Sequence, residues 1–122
     1  MLIDSYRRIR RPLFWVLVTG AYIAAIMPNQ QAPDIGAGDK INHVAAFLAI
    51  TLVGRSAYRH KPVWLLAAAL SLFGALIELT QAIPALQRDA SPWDWIADSV
   101  AILVALAIAA LIERRAPGLF AA

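Results

Sequence analysis

The chain contains no cysteine. That excludes disulfides and thiolate metal sites. Charge is scarce as well: 16% of the 122 residues are charged and 61% are hydrophobic, and the mean hydropathy is +0.64. A soluble domain of this size is nearer about half apolar and a quarter charged. No internal repeat, low-complexity segment or second domain interrupts the chain. Neither an H-E-x-x-H motif nor a nucleophile motif is present, and the sequence by itself assigns no cofactor and no metal. The basic residues form short flanks without an extended patch, which argues against nucleic-acid binding.

Long apolar runs are what the chain has in abundance. Four of them are too many for the core of a small soluble domain, so the expected solvent is lipid. The first, "PLFWVLVTGAYIAAIM", predicts a helix over about residues 12–27, closed by Pro28. It is slightly short for a span of about 17–25 residues. "NQQAPDIGAG" reads as a loop. The second helix is predicted over 40–58, the third over 63–83 and the fourth over 92–112, with Pro92 suited to its first turn. The expectation is a single all-α domain spanning 1–122, a polytopic membrane protein with four transmembrane helices. The leading "RRIRRPLFW" has a signal-like pattern, but no small-x-small cleavage site follows it, so it is read as retained.

Charge placement orients the bundle. Arg7, Arg8, Arg10, Arg11, Arg55, Arg59, Lys61, Arg114 and Arg115 make nine of the eleven basic residues, and four spans put them all on one side. The positive-inside rule makes that side cytoplasmic, N-in and C-in. Lys40 and Arg88 fall on the other side, with Asp34, Asp39, Glu78, Asp89, Asp94 and Asp98. Arg55, Arg59 and Lys61 read as topology signals that snorkel to lipid phosphates. Trp15, Trp64, Trp93 and Trp95 read as interfacial belts. Gly20, Gly54 and Gly74 are expected at close helix contacts.

The polar residues of the outer ends fall into three groups. Asp39, Lys40 and His43 share a face at the start of the second helix. Glu78 and Gln81 share one near the end of the third, and Asp94 and Asp98 share one in the first turns of the fourth, preceded by Arg88 and Ser91. Alternating chain direction brings all three to similar depth. Glu78 is the most informative: about five residues from Pro84, it lies roughly 8 Å inside the helix end. A carboxylate facing lipid there costs on the order of 3 kcal/mol. It is therefore expected to face the bundle interior with Lys40, His43 or Arg88 as partner. Simpler roles exist for several members: Asp39, Ser91 or Asp94 as helix N-caps, His43 as an interfacial residue, and Gln81 as an interhelical hydrogen bonder. Capping does not account for Glu78 and Asp98, which lie further inside.

In this order the groups resemble the VanZ-like family of small bacterial membrane proteins. "DKINHVAAF" is similar to the family's D-K-x-x-H start, "ELTQ" to its E-x-x-Q, and "RDASPWDWIAD" to its R-x-x-S-x-x-D-x-x-x-N segment. Asp98 stands where asparagine is usual. Ala101 and Ala105 stand where glycines are expected, implying a more loosely packed fourth helix. The resemblance covers residues 39 to about 105 and implies a multi-pass protein of the bacterial cytoplasmic membrane. It implies a link to cell-envelope biogenesis or glycopeptide-antibiotic resistance, and no agreed reaction. Three functions follow as expectations. The first is an outward-facing pocket of Asp39, Lys40, His43, Glu78, Gln81, Arg88, Ser91, Asp94 and Asp98 that binds a membrane lipid or lipid-linked precursor headgroup. The second is a membrane enzyme using His43 and the carboxylates, in which a divalent metal would offset the acidic excess. The third is a structural subunit, paired with another membrane protein or with a second copy.

Overall fold

The computed structural model describes residues 1–27, 39–86 and 91–122, and for Asp39, Lys40 and Leu86 the backbone alone. Four helices account for most of it: α1 (Leu2–Ile26), α2 (Asp39–Ala57), α3 (Val63–Gln81) and α4 (Pro92–Arg115). Short 3-10 turns, Pro84–Leu86 and Pro117–Leu119, follow α3 and α4. No strand occurs among the described residues.

Three of the four helices start or end close to the sequence signals. Pro62 precedes α3. Ser91 caps α4, its Oγ accepting the Trp93 amide at 3.2 Å, and Pro92 takes the first turn. Arg114 and Arg115 occupy the last turn of α4, where cations complement the helix dipole. The exception is α1. It was expected to begin at Pro12, yet it begins at Leu2 and carries Pro12 inside it. The segment before Pro12 is free of glycine and rich in arginine, a good helix former, and Asp4 lies in its first turn. Those local preferences outweigh the one backbone hydrogen bond that the proline removes.

Side-chain contacts show successive helices running in opposite directions. At one end Arg11 reaches the Ala57 carbonyl at 3.3 Å, and Trp15 donates to the Tyr58 hydroxyl at 2.9 Å. At the other end Tyr22 and Thr80 share a hydrogen bond of 3.0 Å, and Gln81 donates to the Ala25 carbonyl at 3.1 Å. α4 packs along both α2 and α3, and α1 packs chiefly on α2. α2 and α3, although consecutive, touch little. Phe47, Ile50, Ile77 and Ile102 fill the interior.

The expected looseness of α4 is not found. Ala101 and Ala105 are buried, and α2 with α4 forms the most extensive helix pair, because an alanine methyl is small enough for close approach. Gly54 and Gly74 lie at close contacts as expected. A Cβ on Gly54 would stand 2.7 Å from the Phe14 ring, and one on Gly74 would stand 3.4 Å from the Phe47 ring. Gly20 does not: nothing lies within 4 Å of its missing Cβ.

The outer surface of the bundle is apolar. Val16, Leu72, Leu79, Leu103 and Leu111 are all more than half exposed. Large contiguous apolar surface of this kind is rare on monomeric soluble proteins. α1, α3 and α4 are each long and apolar enough to cross a membrane, and the described apolar stretch of α2, Ile41–Ala57, is shorter.

Candidate functional site

Three helices each deliver one ionisable side chain to the same place. His43 comes from the start of α2, Glu78 from the last turns of α3 and Asp98 from the second turn of α4. One donor atom from each lies within 4.8 Å of the others. His43 Nδ1 is 3.5 Å from Asp98 Oδ1. Asp98 is fully buried, His43 is 8% exposed, and Glu78 is half-buried. The chain could place them so because α4 is the common neighbour of α2 and α3. Gly74 makes the approach feasible: a Cβ there would come within 3.3 Å of Asp98 Oδ2.

Glu78 has a partner that spacing alone does not reveal. Its Oε2 accepts the backbone amide of Ser91 at 2.9 Å. The carboxylate thus sits against the N-terminus of α4, where the helix dipole favours negative charge. Glu78 turns inward as expected; of the partners named for it, His43 lies nearby, and Arg88 and the Lys40 side chain are outside the described residues. The available signal was the Ser-Pro pair, which marks a helix start whose preceding amide needs an acceptor. Glu78 Oε1 is buried and has no hydrogen-bond partner among the described residues.

The remaining members divide. Asp94 is buried one turn before Asp98 on α4. Ser91 acts as the cap of α4, so its simpler reading holds for the hydroxyl while its amide serves Glu78. Gln81 is fully buried and turns to α1 through the Ala25 carbonyl; its Oε1 has no hydrogen-bond partner among the described residues. Arg88 and the side chains of Asp39 and Lys40 lie outside the described residues.

At the opposite end of the bundle, several basic residues have more definite work than reaching for lipid. Arg55 donates to the carbonyls of Lys61 at 3.1 Å and Arg59 at 3.4 Å, closing the turn before α3. Arg59 pairs with Glu113 at 2.7 Å. Arg10 is buried and grips the tail after α4, donating to the Leu119 carbonyl at 2.8 Å and to that of Ala121. Ser56 also donates to Leu119 O. The contacts of Arg10 and Ser56 join residues more than sixty positions apart, which no local pattern discloses.

The tryptophans also differ from a uniform belt. Trp64 and Trp93 are exposed, as interfacial residues are, but Trp95 donates to the Ser71 carbonyl at 3.0 Å and so ties α4 to α3. No protein-family model, no curated protein and no solved structure matches this chain.

Proposed function

We propose that the chain is a VanZ-like, four-span protein of the bacterial cytoplasmic membrane, with both ends inside, whose outer polar site binds the headgroup of a membrane lipid or lipid-linked envelope precursor. The observation that carries this is the buried meeting of His43, Glu78 and Asp98 within an otherwise apolar bundle. Ionisable groups inside a membrane are costly and are retained where they serve a site. The orientation is supported by the arginines, which, Arg88 apart, gather at the end of the bundle opposite that cluster. Lys40 and Arg88, adjoining the site in the sequence, supply the cations that would hold a phosphate by charge-assisted hydrogen bonds. The link to envelope biogenesis or glycopeptide resistance rests on the family resemblance.

Native mass spectrometry with lipidomics tests this reading on protein extracted in mild detergent, wild type beside Glu78→Gln and Arg88→Ala. One phospholipid or polyprenyl-phosphate species should accompany the wild type and be lost from both variants. If no lipid is selectively retained while all three proteins keep their helix content, the headgroup reading fails.

The His43–Asp98 contact favours a second reading, a membrane enzyme in which Asp98 orients His43 as a general base. Turnover of a supplied lipid-linked substrate, abolished in His43→Gln, would separate catalysis from binding.

A further inference from the structure

We infer that His43, Glu78 and Asp98 form a binding site for a first-row divalent cation of the zinc or manganese type. The proposal extends the headgroup reading, because such an ion would receive a phosphate oxygen, but the ion itself requires no lipid.

The donor geometry is the first support. Two ligand atoms about 2.0–2.1 Å from a tetrahedral ion are roughly 3.3 Å apart. His43 Nδ1 and Asp98 Oδ1 are separated by 3.5 Å, close to that edge and at the long limit for a hydrogen bond. Glu78 completes a triangle whose sides are all within 4.8 Å. A turn of its carboxylate about the Oε2 held by Ser91 would carry the other oxygen towards the same centre.

The supporting shell is the second. Ser91 N–H fixes Glu78 Oε2, which leaves the buried Oε1 with lone pairs and no hydrogen-bond partner among the described residues. Outer-shell hydrogen bonds of this kind orient metal ligands. On the side of the bundle core, the Phe47 ring and the bare Cα of Gly74 lie against Asp98.

Ligand chemistry selects the ion. An imidazole nitrogen with two carboxylates suits zinc, manganese or iron better than magnesium or calcium, which prefer oxygen alone. A neutral imidazole and two carboxylates balance the ion's charge of +2 among its ligands, and Asp94, buried one turn before Asp98, adds a further carboxylate beside them. Three protein ligands leave at least one coordination position open, as in sites that bind a substrate or water.

The experiment uses the full chain purified without a polyhistidine tag, stripped with a chelator and returned to chelator-free detergent. Zn²⁺ is titrated by calorimetry, and Co²⁺ by its visible ligand-field absorption. The wild type should bind one equivalent and give the intense bands of a four- or five-coordinate ion. His43→Gln and Asp98→Asn should each weaken binding by about 100-fold or more. His60→Ala, which changes the other histidine, should bind as the wild type does. Helix content from circular dichroism identifies any variant that has failed to fold, and Glu78→Gln then replaces it in the comparison. Absence of a one-to-one ion in the wild type, or equal binding by the folded site variants, overturns the proposal. Lipid retention measured on the same protein, stripped and again after the ion is returned, keeps the two readings apart: lipid kept without ion binding defeats the metal site alone, and ion binding with no selective lipid in either state defeats the headgroup alone.

Discussion

At the scale of single residues, the two glycines Gly54 and Gly20 make opposite predictions. A methyl on Gly54 would meet the buried Phe14 ring at 2.7 Å and Leu66 at 3.3 Å, so Gly54→Ala forces α1 and α2 apart. The expected cost is about 1–3 kcal/mol, the usual range for overpacking. Gly20→Ala meets open space and relieves the entropic penalty of a helical glycine, a gain of about 0.5–1 kcal/mol. Reversible unfolding in mixed micelles, followed by circular dichroism, measures both; equal signs would contradict the packing described here. Asp98 illustrates a different point. In the sequence it was a pocket candidate one turn after Asp94 and a departure from an expected asparagine. Its meaning depends on where it lies, fully buried beside His43 and Gly74.

At the scale of elements, the grip of Arg10 on the tail differs in kind from the pair between Arg59 and Glu113. Arg10 is buried and donates to carbonyls of the segment after α4. Hydrogen bonds from a charged donor contribute about 1.5–3 kcal/mol each. Arg10→Ala should therefore raise the open population of the tail at least about tenfold, seen as faster tryptic cleavage after Arg115. The Arg59–Glu113 pair is exposed, and Glu113→Gln should leave that cleavage rate nearly unchanged. These elements also show what was legible in the sequence. Four apolar runs and the prolines at 62 and 92 marked three helices to within a few residues, because capping and hydrophobicity are local. The start of α1 was missed because its first ten residues are largely polar and the apolar run that marks the helix begins only at Pro12. Depth pointed Glu78 inward, and helical spacing grouped it with His43 and Asp98 in one pocket. The Ser91 amide, the Arg10 clasp and the turn of Gln81 to α1 were not legible, since they depend on tertiary contacts between distant segments.

For the whole molecule, the absence of cysteine gives a clean test of orientation. Gln30→Cys and His60→Cys each introduce the chain's sole thiol. A membrane-impermeant maleimide applied to intact spheroplasts should label the first and spare the second. The reverse pattern, or labelling of both, would refute four spans with both ends inside. The pairing of the helices has a further consequence, for biogenesis. α2 lies mainly along α4, and only slightly against α3, which follows it in the chain. A nascent chain that has released only α1 to α3 from the ribosome still lacks the principal neighbour of α2. During that interval His43 is without the Asp98 side chain, and Glu78 is without the amide of Ser91. The bundle can then close only after the last helix enters the bilayer, so a chain stalled before residue 92 should be a preferred substrate for membrane quality-control proteases.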